Sequence, residues 1–328
     1  MTENNLENRF QNFKQNFKKE IYGLQWENDR KNFDIVYANG KFKSFGKWNF
    51  LPALYENQFK DDQLLNIYHG KNIKFLTLGS QKLCLPKEYG NKTLIYANNY
   101  YKLVENYINE KSIVCEIGSG SGLFSALINE NKSTINILID IPEVMLSAIA
   151  FYFTLFPKKR FLLPNEIEKD KEINFKNFDF IFLLPSQKNL IKNETIDFGI
   201  NTQSFMEMDE SEVDEYLDFF NEKISYEGYF FCSNRLRKRH YFFNYKFHKL
   251  IDFKLTFLEK DKVFYMDKNL ASMLNILLKK KKGGRNNIKF NILDKINGLF
   301  YFKINEFFYW LKKDVMFFLS NIKKKIKS

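Results

Sequence analysis

Three alternating glycines follow a short apolar stretch near the middle of the chain, in the sequence Glu116-Ile-Gly-Ser-Gly-Ser-Gly. The β-branched residues before them predict a strand, and the apolar residues after them recur at helical spacing. A glycine turn lets a ligand approach the backbone closely, and the helix behind it offers free N–H groups to polar or anionic ligand groups. We therefore expect a nucleotide-type binding turn made of Gly118, Ser119, Gly120 and Gly122, with Glu116 beside it.

A carboxylate follows the next predicted strand. Asp140 comes directly after the apolar stretch Ile135–Ile139 and 22 residues after Gly118. In nucleotide-binding folds an acidic residue about 20 residues beyond the glycine turn meets the ribose hydroxyls. A carboxylate suits a diol because it can accept two hydrogen bonds. Asp140 could equally cap the helix that begins at Pro142, and the two roles are compatible.

The glycine spacing indicates which nucleotide-like ligand the turn holds. Dinucleotide-binding turns have the pattern G-x-G-x-x-G, whereas here the third glycine is Gly122 and position 123 is Leu. The pattern E-x-G-x-G-x-G instead resembles motif I of class I S-adenosylmethionine (SAM) methyltransferases. That resemblance implies that the turn holds the methionine part of SAM and that Glu116 helps to bind its amino group.

Three stretches together resemble a narrower group, the sugar O-methyltransferases of bacterial surface-polysaccharide gene clusters. The stretches are Val114–Gly122, Leu138-Ile-Asp-Ile-Pro-Glu-Val144 and Ile200-Asn-Thr-Gln-Ser-Phe-Met-Glu-Met208, and the pair Asn234-Arg235 also fits. The resemblance covers about residues 95–240, and the serines between the glycines depart from the bulkier residues common in that group. It implies methyl transfer to a sugar hydroxyl of a surface polysaccharide or its precursor. The alternatives are a non-sugar small molecule, lipid or protein as acceptor, or a non-catalytic scaffold of glycan assembly.

Methylation of a sugar hydroxyl requires a general base, because the hydroxyl is barely acidic. Glu207 is the first candidate, since it lies three residues after Ser204 and would share a helical face with it. The spacing Ser204-x-x-Glu207 also fits a capping box, so both roles remain open. His240, which follows the Asn234-Arg235 pair, is an alternative base or acceptor contact.

Further ligand contacts are predicted where other strands end. We expect Ser186 and Asn201 to contact the cofactor, and Ser204, Asn234 and Arg235 to contact the substrate. Arg235 could hold an acidic sugar or a phosphate through a bidentate contact. Some sugar methyltransferases use a divalent cation, so a metal site is possible, but we assign no metal ligands because no residues here have clean ligand spacing.

Strands and helices alternate through the central part of the chain, which predicts a Rossmann-like α/β sheet with helices on both faces. We assign residues 96–270 to this domain, 1–95 to a mainly helical N-terminal region and 271–328 to a basic amphipathic helical tail. The predicted strands are Ile113–Ile117, Ile135–Ile139, Phe178–Leu184, Ile196–Ile200 and Gly228–Cys232, with a closing hairpin of Phe253–Leu258 and Val263–Met266.

The positive charge is concentrated at one end of the chain. The net charge is +12, and residues 279–328 hold 14 Lys or Arg against three acidic residues. The nearly neutral remainder argues against a nucleic-acid partner, which would need a basic face. Apolar residues recur at helical spacing in the tail, so it either packs on protein, including a second copy in a homo-oligomer, or lies on an anionic membrane surface.

Cysteine usage and hydropathy indicate the compartment. The three cysteines have no metal-binding spacing, and a sparse, odd set suits a reducing cytoplasm. The N-terminus lacks an apolar signal core, and no run of about 18 apolar residues occurs. We expect a cytoplasmic protein, with a peripheral position at the inner face of the membrane as the alternative.

Overall fold

The computed structural model describes residues 3–16, 34–38, 41–45, 90–168, 172–235, 237–238, 241–242, 246–261, 273–283, 311–312 and 315. The helices are α1 (Glu3–Asn16), α2 (Gly90–Val104), α3 (Leu123–Lys132), α4 (Pro142–Leu155) and α5 (Glu210–Lys223). The strands are β1 (Asp34–Ala38), β2 (Lys41–Phe45), β3 (Ile113–Ile117), β4 (Ile135–Ile139), β5 (Phe161–Leu162), β6 (Phe180–Leu183), β7 (Ile196–Thr202), β8 (Ile224–Arg235), β9 (Arg237–Lys238), β10 (Tyr241–Phe242), β11 (Phe253–Lys260) and β12 (Met273–Lys280).

Eight strands form one sheet in the order β11-β12-β8-β7-β3-β4-β6-β5. Six neighbouring strands run parallel, namely β8, β7, β3, β4, β6 and β5. Strand β12 runs antiparallel to both of its neighbours, β8 and β11. From β3 the chain passes to β4, then to the edge strand β5 and back to β6 between them, and finally to β7 on the other side of β3. The fold is therefore a Rossmann-like mixed α/β sheet, with a topological switch point between β3 and β7.

Alternate residues of the strands face two separate cores, as the two-residue period of a strand requires. Val114, Phe182 and Phe231 belong to the core under α1 to α4. Ile117 and Ile181 belong to the core under α5. Because both faces of the sheet are covered, the strands are apolar along most of their length, and polar side chains are concentrated where the strands end.

The predicted strands are found, with changes at their ends. The stretches 113–117 and 135–139 have the predicted bounds, the strand predicted at 178–184 is shorter, and β7 and β8 are longer than predicted. Sequence reasoning did not predict β5. The predicted first strand of the closing hairpin is present as β11, but it pairs with β12. Residues 263–266 lie outside the described ranges.

The sheet extends beyond the predicted domain boundary at residue 270, as far as Lys280. Lys280 is only 3% exposed. Its Nζ donates to the carbonyl oxygens of Asn221 (2.6 Å) and Ile224 (2.7 Å) at the end of α5, where a cation is favourable. Lys279 pairs with Glu227 at 2.6 Å. Two of the basic residues counted in the tail therefore belong to the folded sheet.

Most of the two terminal regions lies outside the described residues. In residues 1–95 the structure describes α1, the hairpin of β1 and β2, and the start of α2. After residue 283 it describes only residues 311, 312 and 315. The helical N-terminal region and the amphipathic tail therefore stay predictions. Across the described ranges, no helix combines the length and hydropathy that a membrane crossing requires.

Candidate functional site

The glycine turn connects β3 to α3 at the switch point of the sheet. Gly118, Gly120 and Gly122 all have positive φ, at +65°, +59° and +72°. The amide of Gly118 donates to the carbonyl of Ile139 on β4 (2.8 Å), and the amide of Gly122 donates to the carbonyl of Ser119 (2.8 Å). Three left-handed residues in five positions explain the alternating glycines, because residues with side chains rarely adopt this conformation.

The three glycines differ in what surrounds them. A Cβ on Gly118 would collide with the side chain of Ser204, and one on Gly122 would lie 2.6 Å from carbon atoms of Leu138 and Tyr152. A Cβ on Gly120 would meet no atom of the described residues within 4 Å. Gly118 and Gly122 are thus packed into the protein, whereas Gly120 borders open space that a ligand could occupy.

Asp140 holds the glycine turn against the start of α4. Its Oδ2 accepts from the amide of Gly120 (2.7 Å), and its Oδ1 accepts from the amide of Ile141 (2.7 Å). Burial, helped by the nearby charges of Glu207 and Glu143, raises the pKa of Asp140 to about 7, although the hydrogen bonds from the amides of Gly120 and Ile141 lower it. Since an ionised carboxylate has about four acceptor sites, Asp140 can support the turn and still accept from a ribose diol.

Glu116 lies beneath the turn rather than on its outer side. The side chain is buried, and it accepts a hydrogen bond from Ser125 Oγ at 2.6 Å. Burial raises the pKa of Glu116 to about 8, opposed by the hydrogen bond from Ser125. Its predicted contact with the amino group of SAM stays a prediction.

Ser119 supplies a polar group inside the turn. The residue is 8% exposed, and its buried Oγ has no hydrogen-bond partner among the described residues. Buried polar groups are rarely left without a partner. The hydroxyl therefore fits a polar group of a bound ligand, as predicted for a cofactor turn.

A second turn, after β7, closes the other side of the switch point. The Nδ2 of buried Asn201 donates to the carbonyl of Ile117 on β3 (3.0 Å) and to Ser204 Oγ (2.6 Å). Its Oδ1 accepts from the amide of Phe205 (3.2 Å) and from Asn234 Nδ2 (2.8 Å). The Asn201 amide is therefore used within the protein, where it holds the turn to β3 and β8. Its predicted contact with the cofactor is untested.

Asn234 and Ser204 are likewise engaged in holding this turn. Asn234 Oδ1 accepts from the amide of Met206 at 3.2 Å. Ser204 Oγ donates to the carbonyl of Ile117 at 3.2 Å, and it makes no capping hydrogen bond to the 3-10 turn Phe205–Glu207. The Ser204 half of the proposed capping box is thus not formed. The predicted substrate contacts of both residues stay predictions.

Glu207 ends the 3-10 turn and is half-buried. Its charge contributes to the raised pKa of Asp140, so the two carboxylates lie near each other although they follow different strands. The structure therefore brings the candidate base to the side of the predicted cofactor turn.

The remaining predicted site residues lie further out. Ser186 is exposed in the 3-10 helix Pro185–Leu190, after β6, and Arg235 is half-buried at the end of β8. His240 lies outside the described residues. Within the described ranges, no three His, Cys, Asp or Glu side chains come together as a candidate metal site.

Sequence reasoning missed a polar network beside the second turn. Gln203 has φ of +62°, and its Nε2 donates to the hydroxyl of buried Tyr100 at 3.1 Å. Nearby, Ser233 Oγ donates to Asn275 Oδ1 (2.6 Å), and Asn275 Nδ2 donates to buried Asp261 (3.2 Å). These residues come from α2, β8, β12 and the positions directly after β7 and β11, and no local motif connects them.

When this chain is compared with known proteins, the matches are solved structures of similar fold. No protein-family model matches the sequence, and no curated protein matches it. One similar structure is a SAM-dependent methyltransferase from Methanosarcina mazei, with 13% identity, 55% of this chain and 98% of that chain covered, and a TM-score of 0.39. A TehB-like SAM-dependent methyltransferase from Corynebacterium glutamicum has 10% identity, coverage of 56% and 88%, and a TM-score of 0.40.

A third similar structure is the phosphoethanolamine N-methyltransferase 1 of Haemonchus contortus, in complex with phosphoethanolamine and S-adenosylhomocysteine. It has 13% identity, coverage of 60% of this chain and 45% of that chain, and a TM-score of 0.42. The structural neighbours are thus SAM-dependent methyltransferases with various substrates. The chemistry of this chain has to be inferred from its own residues.

Proposed function

We propose that this protein binds SAM and transfers its methyl group to a hydroxyl of a sugar in a bacterial surface polysaccharide or its precursor. One observation carries the proposal: a turn of three left-handed glycines at the switch point has open space at Gly120, an unpartnered buried hydroxyl on Ser119 and a carboxylate, Asp140, beside it. Ligands of open α/β sheets bind at this position.

The residues present fit SAM at the glycine turn. Gly120 and Ser119 would hold the amino-acid part, with Glu116 beneath them, and Asp140 would accept from the ribose hydroxyls. When bound, SAM supplies a methyl group already activated by its sulfonium. The protein then needs mainly to align an acceptor oxygen with that methyl group.

Glu207 is the residue that we assign as general base. It extends from the second turn beside Asp140, and that turn is fixed through Asn201 and Asn234. A carboxylate held there can take the proton of an acceptor hydroxyl as the oxygen–methyl bond forms. His240 remains the alternative base.

The proposal that the acceptor is a sugar rests on the motif resemblance of residues 138–144 and 200–208. A fold alone does not specify an acceptor, so a non-sugar small molecule, lipid or protein remains the alternative substrate. A non-catalytic scaffold is disfavoured by a turn that keeps open space and an unpartnered hydroxyl.

SAM binding is tested by calorimetry with SAM and S-adenosylhomocysteine. The Gly120→Val variant should lose binding, because its side chain would enter the open space beside the turn. Gly283→Val is a matched control, since Gly283 also has positive φ (+74°) and nothing within 4 Å of a Cβ, but it lies after β12. If the unchanged protein bound NADH and not SAM, the proposal would be wrong.

The role of Glu207 is tested by transfer of tritiated methyl from SAM to a panel of sugar phosphates, nucleotide sugars and uncharged hexosides. Glu207→Gln should lower turnover by about 10²–10⁴ while the affinity for SAM stays unchanged. Glu215→Gln is the control, because Glu215 is an exposed carboxylate on α5. Equal turnover in the two variants would move the role to His240 or to water.

We also propose that the residues after β12 associate with an anionic membrane surface in the cytoplasm, where such a glycan precursor would be met. The support is the sequence alone: basic residues alternate with an apolar face at helical spacing, and each basic residue near an anionic surface contributes about 1 kcal/mol. Packing against a second copy of the chain is the alternative.

A further inference from the structure

The end of β8 continues into a strongly basic stretch. Residues 235–249 contain six Lys or Arg and two His but no Asp or Glu. Four of those basic residues fall within residues 235–239, where the chain leaves the carboxyl edge of the sheet. This density contrasts with the nearly neutral remainder of the chain before the tail.

The beginning of this stretch lies beside the turn that carries Glu207. Asn234, the residue before Arg235, accepts from the amide of Met206 at 3.2 Å, and Met206 immediately precedes Glu207. The backbone of the short strand β9, Arg237–Lys238, lies beside the same 3-10 turn. The backbone at Arg235 and along β9 is therefore next to the turn that ends at Glu207.

The basic residues in the later part of the stretch form ion pairs with helix α5. Lys246 pairs with Asp214, and Lys249 pairs with Asp218 at 2.8 Å, both on α5. The hairpin of β9 and β10 pairs Lys238 with Tyr241 and Arg237 with Phe242. The basic residues nearest the candidate base thus come from β8 and β9.

Acidic and basic residues lie on different sides of the carboxyl edge of the sheet. The carboxylates of Asp140 and Glu143 flank the proposed cofactor turn after β3 and β4, whereas the basic residues follow β8. A cationic cofactor suits the acidic side. By the same reasoning, an acceptor beside Glu207 would meet the basic side, and Arg matches phosphate geometry through its planar fork of donors.

We propose that the acceptor is anionic and carries a phosphate or diphosphate group, which Arg235 and one of the β9 residues, Arg237 or Lys238, bind while the acceptor hydroxyl faces Glu207. This proposal rests on the proposed methyl transfer, since it defines the substrate class of that site. The phosphate could belong to a nucleotide-linked sugar or to a lipid-linked sugar, because the two share this chemistry.

The test measures anion binding separately from methyl transfer. The full chain, saturated with S-adenosylhomocysteine, is titrated calorimetrically with pyrophosphate at fixed ionic strength, and methyl glucoside serves as the uncharged comparison. Pyrophosphate should bind and methyl glucoside should bind at least tenfold more weakly. The Arg235→Gln variant and the double variant Arg237→Gln/Lys238→Gln should each weaken pyrophosphate binding by roughly tenfold or more, as expected for charge-assisted bonds.

Lys192→Gln is the matched control. Lys192 is exposed, pairs with Glu172 and precedes β7 at the opposite edge of the sheet, so its removal should leave pyrophosphate binding unchanged. Titration with UDP-glucose and with geranyl diphosphate then distinguishes the two phosphate sources by which one binds more tightly in an Arg235-dependent manner.

Two results would overturn the inference. One is failure of pyrophosphate to bind although S-adenosylhomocysteine binds, which would leave the proposed function standing. The other is equal weakening in Arg235→Gln and Lys192→Gln, which would show a general charge effect. Failure of S-adenosylhomocysteine itself to bind would instead count against the proposed function.

Discussion

The two turns that border the switch point are held in different ways. The turn after β3 is fixed by its backbone, through three left-handed glycines and the amides that bond to Ile139 and Asp140. The turn after β7 is fixed by side chains, through Asn201, Ser204 and Asn234. The first turn therefore depends on the absence of side chains, and the second on the hydrogen bonds that particular side chains make.

The largest expected effect comes from adding a methyl group to the first turn. In Gly122→Ala the new Cβ would lie 2.6 Å from Leu138 and Tyr152 and would occupy a residue with φ of +72°. Overpacking and left-handed strain together should lower the free energy of unfolding by about 3–5 kcal/mol, measured by urea denaturation.

Gly120→Ala is the control for that comparison. It has a similar φ of +59°, but no described residue lies within 4 Å of the new Cβ. The free energy of unfolding should therefore fall only by the cost of the left-handed backbone, about 1–2 kcal/mol. Similar destabilisation of the two variants would mean that packing does not distinguish the two glycines.

A smaller loss is expected when the second turn loses its central side chain. Asn201→Ala removes hydrogen bonds to Ile117, Ser204, Phe205 and Asn234, and it leaves buried partners unsatisfied. The free energy of unfolding should fall by about 2–4 kcal/mol.

Asn131→Ala is a matched control, because the Asn131 amide donates to the carbonyl of Leu127 in its own helix and its loss should cost less than about 1 kcal/mol. A double-mutant cycle of Asn201→Ala with Asn234→Ala should show a coupling of about 0.5–3 kcal/mol. Additive losses would contradict the view that the two amides act together.

The same difference determines what the sequence could predict. The first turn has a local pattern, since Gly118, Gly120 and Gly122 alternate between an apolar strand and helix, and Asp140 follows at a known offset. Apart from β5, the parallel strands could be predicted because each is a mostly apolar run. The bonds of Asn201 could not, because its partners lie on β3 and β8, far away in sequence.

Other features escaped prediction for the same reason. Residues 273–280, which form β12, were assigned to the tail, and the burial of Lys280 depends on the carbonyls at the end of α5. The two-residue strand β5 has too few residues to show a period.

A third prediction concerns the pH dependence of the first turn. Burial raises the pKa of Glu116 from an ordinary value of 4.5 to about 8, so the folded protein binds more protons than the unfolded chain between these values. The free energy of unfolding should therefore fall as pH rises from about 5 to 8, by at most about 1.4 kcal/mol per pH unit for this residue.

Glu116→Gln should flatten that slope, because Gln can still accept from Ser125 and does not titrate. The residual slope should come from Asp140, whose pKa is raised to about 7 by burial. Urea denaturation of both proteins at a series of pH values measures the difference. Superimposable pH profiles would show that Glu116 titrates alike in the folded and unfolded chain.

The smallest effect is expected at the outer support of the second turn. Tyr100→Phe keeps the buried ring in place but removes the oxygen that accepts from Gln203 Nε2 and that also bonds to Ser233, and each neutral hydrogen bond lost should cost about 0.5–1.5 kcal/mol. Gln203→Ala removes only the bond to Tyr100, so the double variant should cost little more than Tyr100→Phe alone. Gln203 holds a left-handed backbone just before Ser204, so both variants should also slow methyl transfer without changing the affinity for SAM. Additive losses of stability would show that Tyr100 and Gln203 act separately, and an unchanged rate would show that the second turn is positioned by Asn201 and Asn234 without this contact.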